Sequence, residues 1–220
     1  MKLQHLFKTA TCIAMDLIYP RHCAVCGKIL GGYNKLALCL PCSANSYVPK
    51  VVRDDRYYFD EAVGILKYQS TVKDSMLRYK FKSMKYYAAA YAHIMDMATR
   101  DRAYLKDAVM CCVPLSNTRN RDYSQTEVVA RELAGIWNAQ FVPDLLYRIK
   151  QVSPLSKMKL PERRFFIKDS LDVNPRYDIY AKDILLIDDI YTSGTTANEC
   201  ARVLKIYGAE HVYVLCPCYD

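Results

Sequence analysis

From about residue 60 onward, hydrophobic and polar positions follow two alternating patterns. Short apolar runs predict strands at 62–68, at 108–113 before Pro114, near 140–142, at 145–148 and at Ile184–Ile187. Between them, apolar residues recur at helical spacing. Helices are predicted over 72–82, with Val72, Met76 and Tyr79 on one face, and over 86–98, which is rich in alanine. Two more are predicted over 125–138, with Val129, Leu133, Ile136 and Trp137 inward, and over 197–207, stopped by Gly208. Strands alternating with helices predict an α/β fold: a parallel or mixed sheet flanked by helices.

The first sixty residues read differently. Leu3, Leu6, Phe7, Ala10, Ile13 and Leu17 are spaced for a short amphipathic helix. Gln4, His5, Thr9, Thr11 and Asp16 interrupt any signal-peptide core, which predicts a cytoplasmic protein. Residues 43–60 are polar, charged and contain Pro49, the composition of a junction. The expected organisation is an N-terminal module over 1–50 and a sheet domain over 60–220. No apolar run reaches the roughly 20 residues of a membrane-spanning helix.

Cysteine usage sharpens the picture of the first module. Ten cysteines without a signal peptide favour metal ligation and buried thiols over a disulfide framework. Cys23 and Cys26 form one CxxC pair, and Cys39 and Cys42 form a second. Each pair turns two sulfurs toward one point, and together they supply a tetrahedral set for one structural Zn²⁺. Gly31 and Gly32 would tip a hairpin between the pairs. Two redox-active dithiols are the competing reading. Cys111, Cys112, Cys200, Cys216 and Cys218 lie in apolar strands or helices and read as buried thiols.

Candidate chemistry concentrates after the strand Ile184–Ile187. Asp188 and Asp189 stand at its C-terminal end, followed by Ile190, Tyr191, Thr192, Ser193, Gly194, Thr195 and Thr196, then by a helix. In open α/β sheets ligands bind beyond the carboxyl ends of strands. A helix N-terminus favours a phosphate, and carboxylates accept hydrogen bonds from sugar hydroxyls. The run therefore reads as a site for a ribose bearing a 5′-phosphate.

The net charge of +8 suits polyanionic partners. Two segments concentrate it. Residues 67–85 hold six basic residues and one acid, with Tyr68, Tyr79 and Phe81 interleaved. Cationic grooves with aromatic platforms bind single strands without sequence preference. Arg78, Lys80, Phe81, Lys82 and Lys85 are the candidate contacts, and a solvated helix face is the alternative. Residues 148–168 hold seven basic residues and one acid, with Pro154 and Pro161. Such a segment reads as a flap or as a solvated loop.

The run from Ile184 to Thr196 resembles the phosphoribosyl pyrophosphate (PRPP) signature of type I phosphoribosyltransferases. That resemblance implies that Asp188 and Asp189 hold the ribose hydroxyls of a Mg²⁺–PRPP complex, that residues 191–196 hold its 5′-phosphate, and that Arg121 or Arg163 meets the pyrophosphate. With the four cysteines added, the chain resembles the ComF family of competence-associated proteins. Weaker motifs fall in the same order: Leu77 to Lys82, Val113 to Leu115 with Arg119 and Arg121 through Gln125, and Leu160 to Arg163. Asp122, Ser124, Leu155 and Phe166 depart from the family pattern.

The resemblance implies a phosphoribosyltransferase-like, Rossmann-like sheet beside a zinc element. It also implies work with single-stranded DNA during DNA uptake, beside a helicase or channel proteins. A phosphoribosyltransferase acting on a nucleobase or amine acceptor is the alternative function.

Overall fold

The computed structural model describes residues 20–31, 37–44, 47–81, 86–114, 124–149 and 170–220. The helix expected near the N-terminus lies outside them. The sheet begins earlier than the hydrophobic pattern indicates. Strand β1, Lys50–Val52, sits in the stretch read as a junction and pairs antiparallel with β2, Glu61–Lys67. Its three side chains are exposed or half-buried, so it carries no apolar signature.

The chain then enters a mostly parallel sheet. Strands β3 (Val109–Cys112), β6 (Ile184–Ile187) and β8 (Val212–Tyr219) join β2 in the order β1-β2-β8-β6-β3. The two-residue strand β7, Ile190–Tyr191, pairs with the far end of β8. β6 is buried throughout and β2 is buried from Glu61 to Leu66, as expected for parallel strands covered on both faces. Alternate residues of β6 feed two different cores. Leu185 and Ile187 pack with Met76, Tyr79, Tyr91, Met95 and Leu133, while Ile184 and Leu186 pack with Ala197, Cys200, Ala201 and Leu204.

Helices supply those cores. The short α1 (Leu40–Ala44) belongs to the cysteine module. Helices α2 (Ser70–Phe81), α3 (Tyr87–Ala98) and α5 (Gln125–Trp137) feed the first core, and α4 (Tyr104–Asp107) leads into β3. Helix α6, Thr195–Ile206, covers the other face. The expected α/β fold is borne out: a mainly parallel central sheet flanked by helices, with four cysteines gathered near the N-terminus.

Two details position the site. Helix α6 opens at Thr195, two residues before the expected start, so Thr195 and Thr196 form its first turn. Strands β4 (Leu146–Arg148) and β5 (Leu171–Val173) form a separate antiparallel ribbon. The basic residues after Arg148 lie outside the described residues, but the two ends are tied together. Ile149 N–H donates to the Ser170 carbonyl at 2.9 Å.

The cysteine module is joined to the sheet domain through packing. Cys23, Ala24, Leu30, Ala37, Leu38 and Cys42 share one core with residues of α2 and α3. Within the module, His22 bridges Ile29 antiparallel, and Gly27 adopts φ +72° in the turn between them. That tight turn follows directly on the first CxxC pair. Gly32 lies outside the described residues.

Candidate functional site

The acid pair sits where β6 leaves the sheet. Asp188 N–H donates to the Leu215 carbonyl at 3.3 Å, and the chain then rejoins β8 through β7. Asp188 and Asp189 thus occupy a short break between two stretches paired with the same strand. The Asp189 N–H donates to Asp188 Oδ1 at 2.8 Å, which fixes the first carboxylate. Burial, then the neighbouring Asp189 charge, push the Asp188 carboxyl up to about 7. The Asp189 amide, Lys80 and Arg148 act in the opposite direction.

The hydroxyl loop follows directly. Tyr191 is buried, Thr192 is exposed, and Ser193, Thr195 and Thr196 are half-buried. Gly194 caps α6 with φ +70°, the left-handed region that favours glycine. A Cβ there would lie 2.7 Å from Tyr191 Oη. Ser193 and Thr195 hydroxyls are 2.9 Å apart, and Asn198 N–H closes the first turn onto the Gly194 carbonyl at 2.8 Å. The first N–H groups of a helix lack intrahelical acceptors and carry the positive end of its dipole. The loop therefore offers hydroxyls and a helix N-terminus one short step from two carboxylates.

The structure brings Asp188, Asp189, Tyr191, Thr192, Ser193, Gly194, Thr195 and Thr196 together in one place. Arg121 and Arg163 lie outside the described residues. Of the five residues read toward nucleic acid, Lys82 and Lys85 also lie outside them, as does the side chain of Phe81. Arg78 is half-buried, and its shielded Nε has no hydrogen-bond partner among the described residues.

Lys80 stands in the site itself. Its ammonium forms a salt bridge with Asp189, and the two side chains are only 15% and 26% exposed. The C-terminal end of α2 is held there by α5. Gln125 Nε2 donates to the Lys80 carbonyl at 2.8 Å, and Tyr79 Oη donates to the Gln125 carbonyl at 2.7 Å.

Arg148 is a second cation near the acid pair. It comes from β4, with Nε donating to the Pro114 carbonyl at 3.3 Å and Nη1 to Ser170 Oγ at 3.4 Å. Burial lowers its guanidinium, while Cys200 and Asp188 act to raise it. Sequence reasoning placed neither cation beside the acids. The sequence places Arg148 in a short strand at the head of the basic segment 148–168, and neither points to the acids.

The second centre is the cysteine cluster. The sulfurs of Cys23, Cys26, Cys39 and Cys42 all lie within 4.8 Å of one another. Cys26 and Cys39 sulfurs are 3.6 Å apart, and Cys39 N–H donates to Cys23 Sγ at 3.5 Å. Burial acts to raise the Cys23 thiol, but backbone hydrogen bonds from Cys26, Cys39 and Val25 bring it down to about 7. Burial and the neighbouring sulfurs push Cys42 up instead. Four converging sulfurs with N–H···S bonds form a donor set that could hold one metal ion. Cys111, Cys112, Cys200, Cys216 and Cys218 are buried in the sheet and its helices, and burial raises each thiol.

Comparison with known proteins places this architecture. Competence protein F of Haemophilus influenzae is 26% identical over 165 residues, covering 71% of each chain. Competence protein ComFC of Streptococcus pneumoniae is 29% identical over 167 residues, covering 73% of this chain and 71% of that one. The chain is thus similar to two competence proteins over about seven-tenths of its length. No family model matches it. No helix among the described residues is long and apolar enough to cross a membrane.

Proposed function

We propose that this chain is a ComF-type protein and that it binds PRPP, or a related phosphoribosyl ligand, together with Mg²⁺ at the acid pair and hydroxyl loop. One observation carries the reading. Two carboxylates at a strand end lead through a glycine-capped hydroxyl loop into a helix N-terminus. In this reading Asp188 and Asp189 take the ribose hydroxyls and the waters of the metal ion, and Thr192, Ser193, Thr195 and Thr196 take the 5′-phosphate. The four cysteines hold a structural Zn²⁺ that orders the N-terminal module.

The relatives' names support a role in competence. In DNA uptake its ligand would be single-stranded DNA, held by the basic segments 67–85 and 148–168. A helicase or a channel protein would be its neighbour in the cytoplasm.

Calorimetry on folded, zinc-loaded protein tests the ligand. PRPP with Mg²⁺ should bind the native chain, and the double substitution Asp188→Ala, Asp189→Ala should abolish that binding. A native sample that shows no heat with PRPP refutes the reading. Release of pyrophosphate from PRPP, measured with and without single-stranded DNA and with candidate nucleobases and amines, separates a ligand-binding protein from a phosphoribosyltransferase.

A further inference from the structure

We propose that Lys80 is a resident cation of this site. Its ammonium holds Asp189 while the site is empty, and it exchanges with the divalent ion that accompanies a phosphoribosyl ligand. The released ammonium then pairs with the ligand's phosphates. This rests on the phosphoribosyl reading above and adds a residue to that site.

The two cations near the acid pair differ in freedom. Arg148 is held by the Pro114 carbonyl and the Ser170 hydroxyl, and it is partly buried. Lys80 is gripped at its backbone, where Gln125 holds the carbonyl. Its four-carbon side chain carries the charge to Asp189, its one ion-pair partner among the described residues. An ammonium on a flexible stem is a point charge that can be re-aimed, whereas a guanidinium fork bonded to two elements is not.

The charge balance gives the exchange its direction. Asp188 and Asp189 carry at most two negative charges, and Lys80 offsets one of them. A divalent ion arriving alone must displace an ammonium that has no new partner. An ion arriving with a polyphosphate brings that partner. Both new pairs, carboxylate with metal and ammonium with phosphate, then join opposite charges. Metal and anion should therefore bind together far better than metal alone.

Mn²⁺ binding to the full-length, zinc-loaded protein, followed by electron paramagnetic resonance, tests this without PRPP. Lys80→Met should bind Mn²⁺ about tenfold more tightly than the native chain, the scale of removing one partly buried competing charge. Lys80→Arg keeps a cation and should bind as weakly as native. Asp189→Asn in the Lys80→Met background should cancel the gain. Inorganic pyrophosphate should strengthen Mn²⁺ binding to the native chain and do so much less in Lys80→Met.

A Lys80→Met protein that melts cooperatively yet binds Mn²⁺ no more tightly than native overturns the proposal. So does a gain that survives Asp189→Asn. Should Lys80→Met fail to fold, a Lys80→Arg protein that binds Mn²⁺ much more tightly than native, or native protein that shows no pyrophosphate effect, also overturns it. Loss of PRPP binding in calorimetry, beside an intact Mn²⁺ gain, would sink the phosphoribosyl ligand and leave the exchange standing.

Discussion

Replacing Gly194 with alanine perturbs the hydroxyl loop at its most constrained point. Two costs follow from the geometry. Gly194 has φ +70° and ψ 0°, and an L-residue held in that left-handed region costs roughly 1–2 kcal/mol. The new Cβ would also lie 2.7 Å from Tyr191 Oη and 3.1 Å from its Cζ. Tyr191 cannot simply swing away. It is 6% exposed, and its ring meets Phe59 edge-on at 6.3 Å between centroids. Overpacking of this kind adds about 1–3 kcal/mol. The two costs together predict a loss of roughly 2–5 kcal/mol, or about 4–20 °C in Tm for a chain of this size.

Urea and thermal unfolding of Gly194→Ala measure the total, and a second substitution separates its parts. Tyr191→Phe removes the nearest atom, so in the Gly194→Ala background it should recover part of the packing cost and none of the backbone cost. Gly135→Ala is the control. That glycine lies inside α5 with nothing within 4 Å of where a methyl would sit, so alanine there should stabilise by up to about 1 kcal/mol. A Gly194→Ala protein within about 0.5 kcal/mol of native, the range of an ordinary surface change, would refute the reasoning. A large loss with no coupling to Tyr191→Phe would refute its packing half.

Three further predictions concern pH, metal and nucleic acid. The folded Asp188 carboxyl is raised from 3.8 to about 7, so the stability it contributes is complete below about 4 and is lost as pH rises through 7. Melting of samples in metal-free buffer from pH 5 to 8 should show that decline, and Asp188→Asn should flatten it; parallel pH profiles would contradict the assignment. Because the cysteine module shares a core with α2 and α3, Cys39→Ser should lower the melting temperature of the whole fold, read by near-ultraviolet circular dichroism. An unchanged sheet-domain transition after metal loss would show the two parts to be uncoupled. Lys82→Gln with Lys85→Gln should weaken single-stranded DNA binding in fluorescence anisotropy and reduce the salt slope by about 0.7 for each phosphate no longer neutralised. A slope unchanged by both substitutions would remove them from the nucleic-acid face.

The parts of this protein that sequence reading anticipated are those where chemistry and position coincide along the chain. Strand β6, the acid pair, the hydroxyl loop and helix α6 are contiguous, so local pattern alone brings them together. The same holds for each CxxC turn, where two sulfurs converge by local geometry. Strand β1 is illegible in the sequence because it lies at a sheet edge, with Lys50 and Val51 exposed and Val52 half-buried, and carries no alternation. The pattern starts helix α6 two residues late because threonines at 195 and 196 look like loop, although a left-handed glycine just before them is a helix boundary.

Lys80 shows where such reading ends, for a reason that is geometric. Its residue type and its neighbours in the chain are those of a solvated basic face. What assigns it to the acid pair is the placement of α2, whose last turn reaches the ends of β6 and β7. That placement depends on partners remote in sequence: Tyr79 and Gln125 are 46 residues apart, and Lys80 pairs with an acid from the far end of the chain. The cysteine module adds to the same support, because its buried residues pack with Met76 and Tyr79 of α2 in one core. The two motifs that stand far apart in the sequence are therefore joined physically through a helix that neither motif contains. A change at the cysteines can reach Asp189 by moving α2, and the Mn²⁺ affinity of Cys39→Ser measures that link: it should tighten toward the Lys80→Met value if α2 loosens, and stay native if α2 is held by the sheet alone.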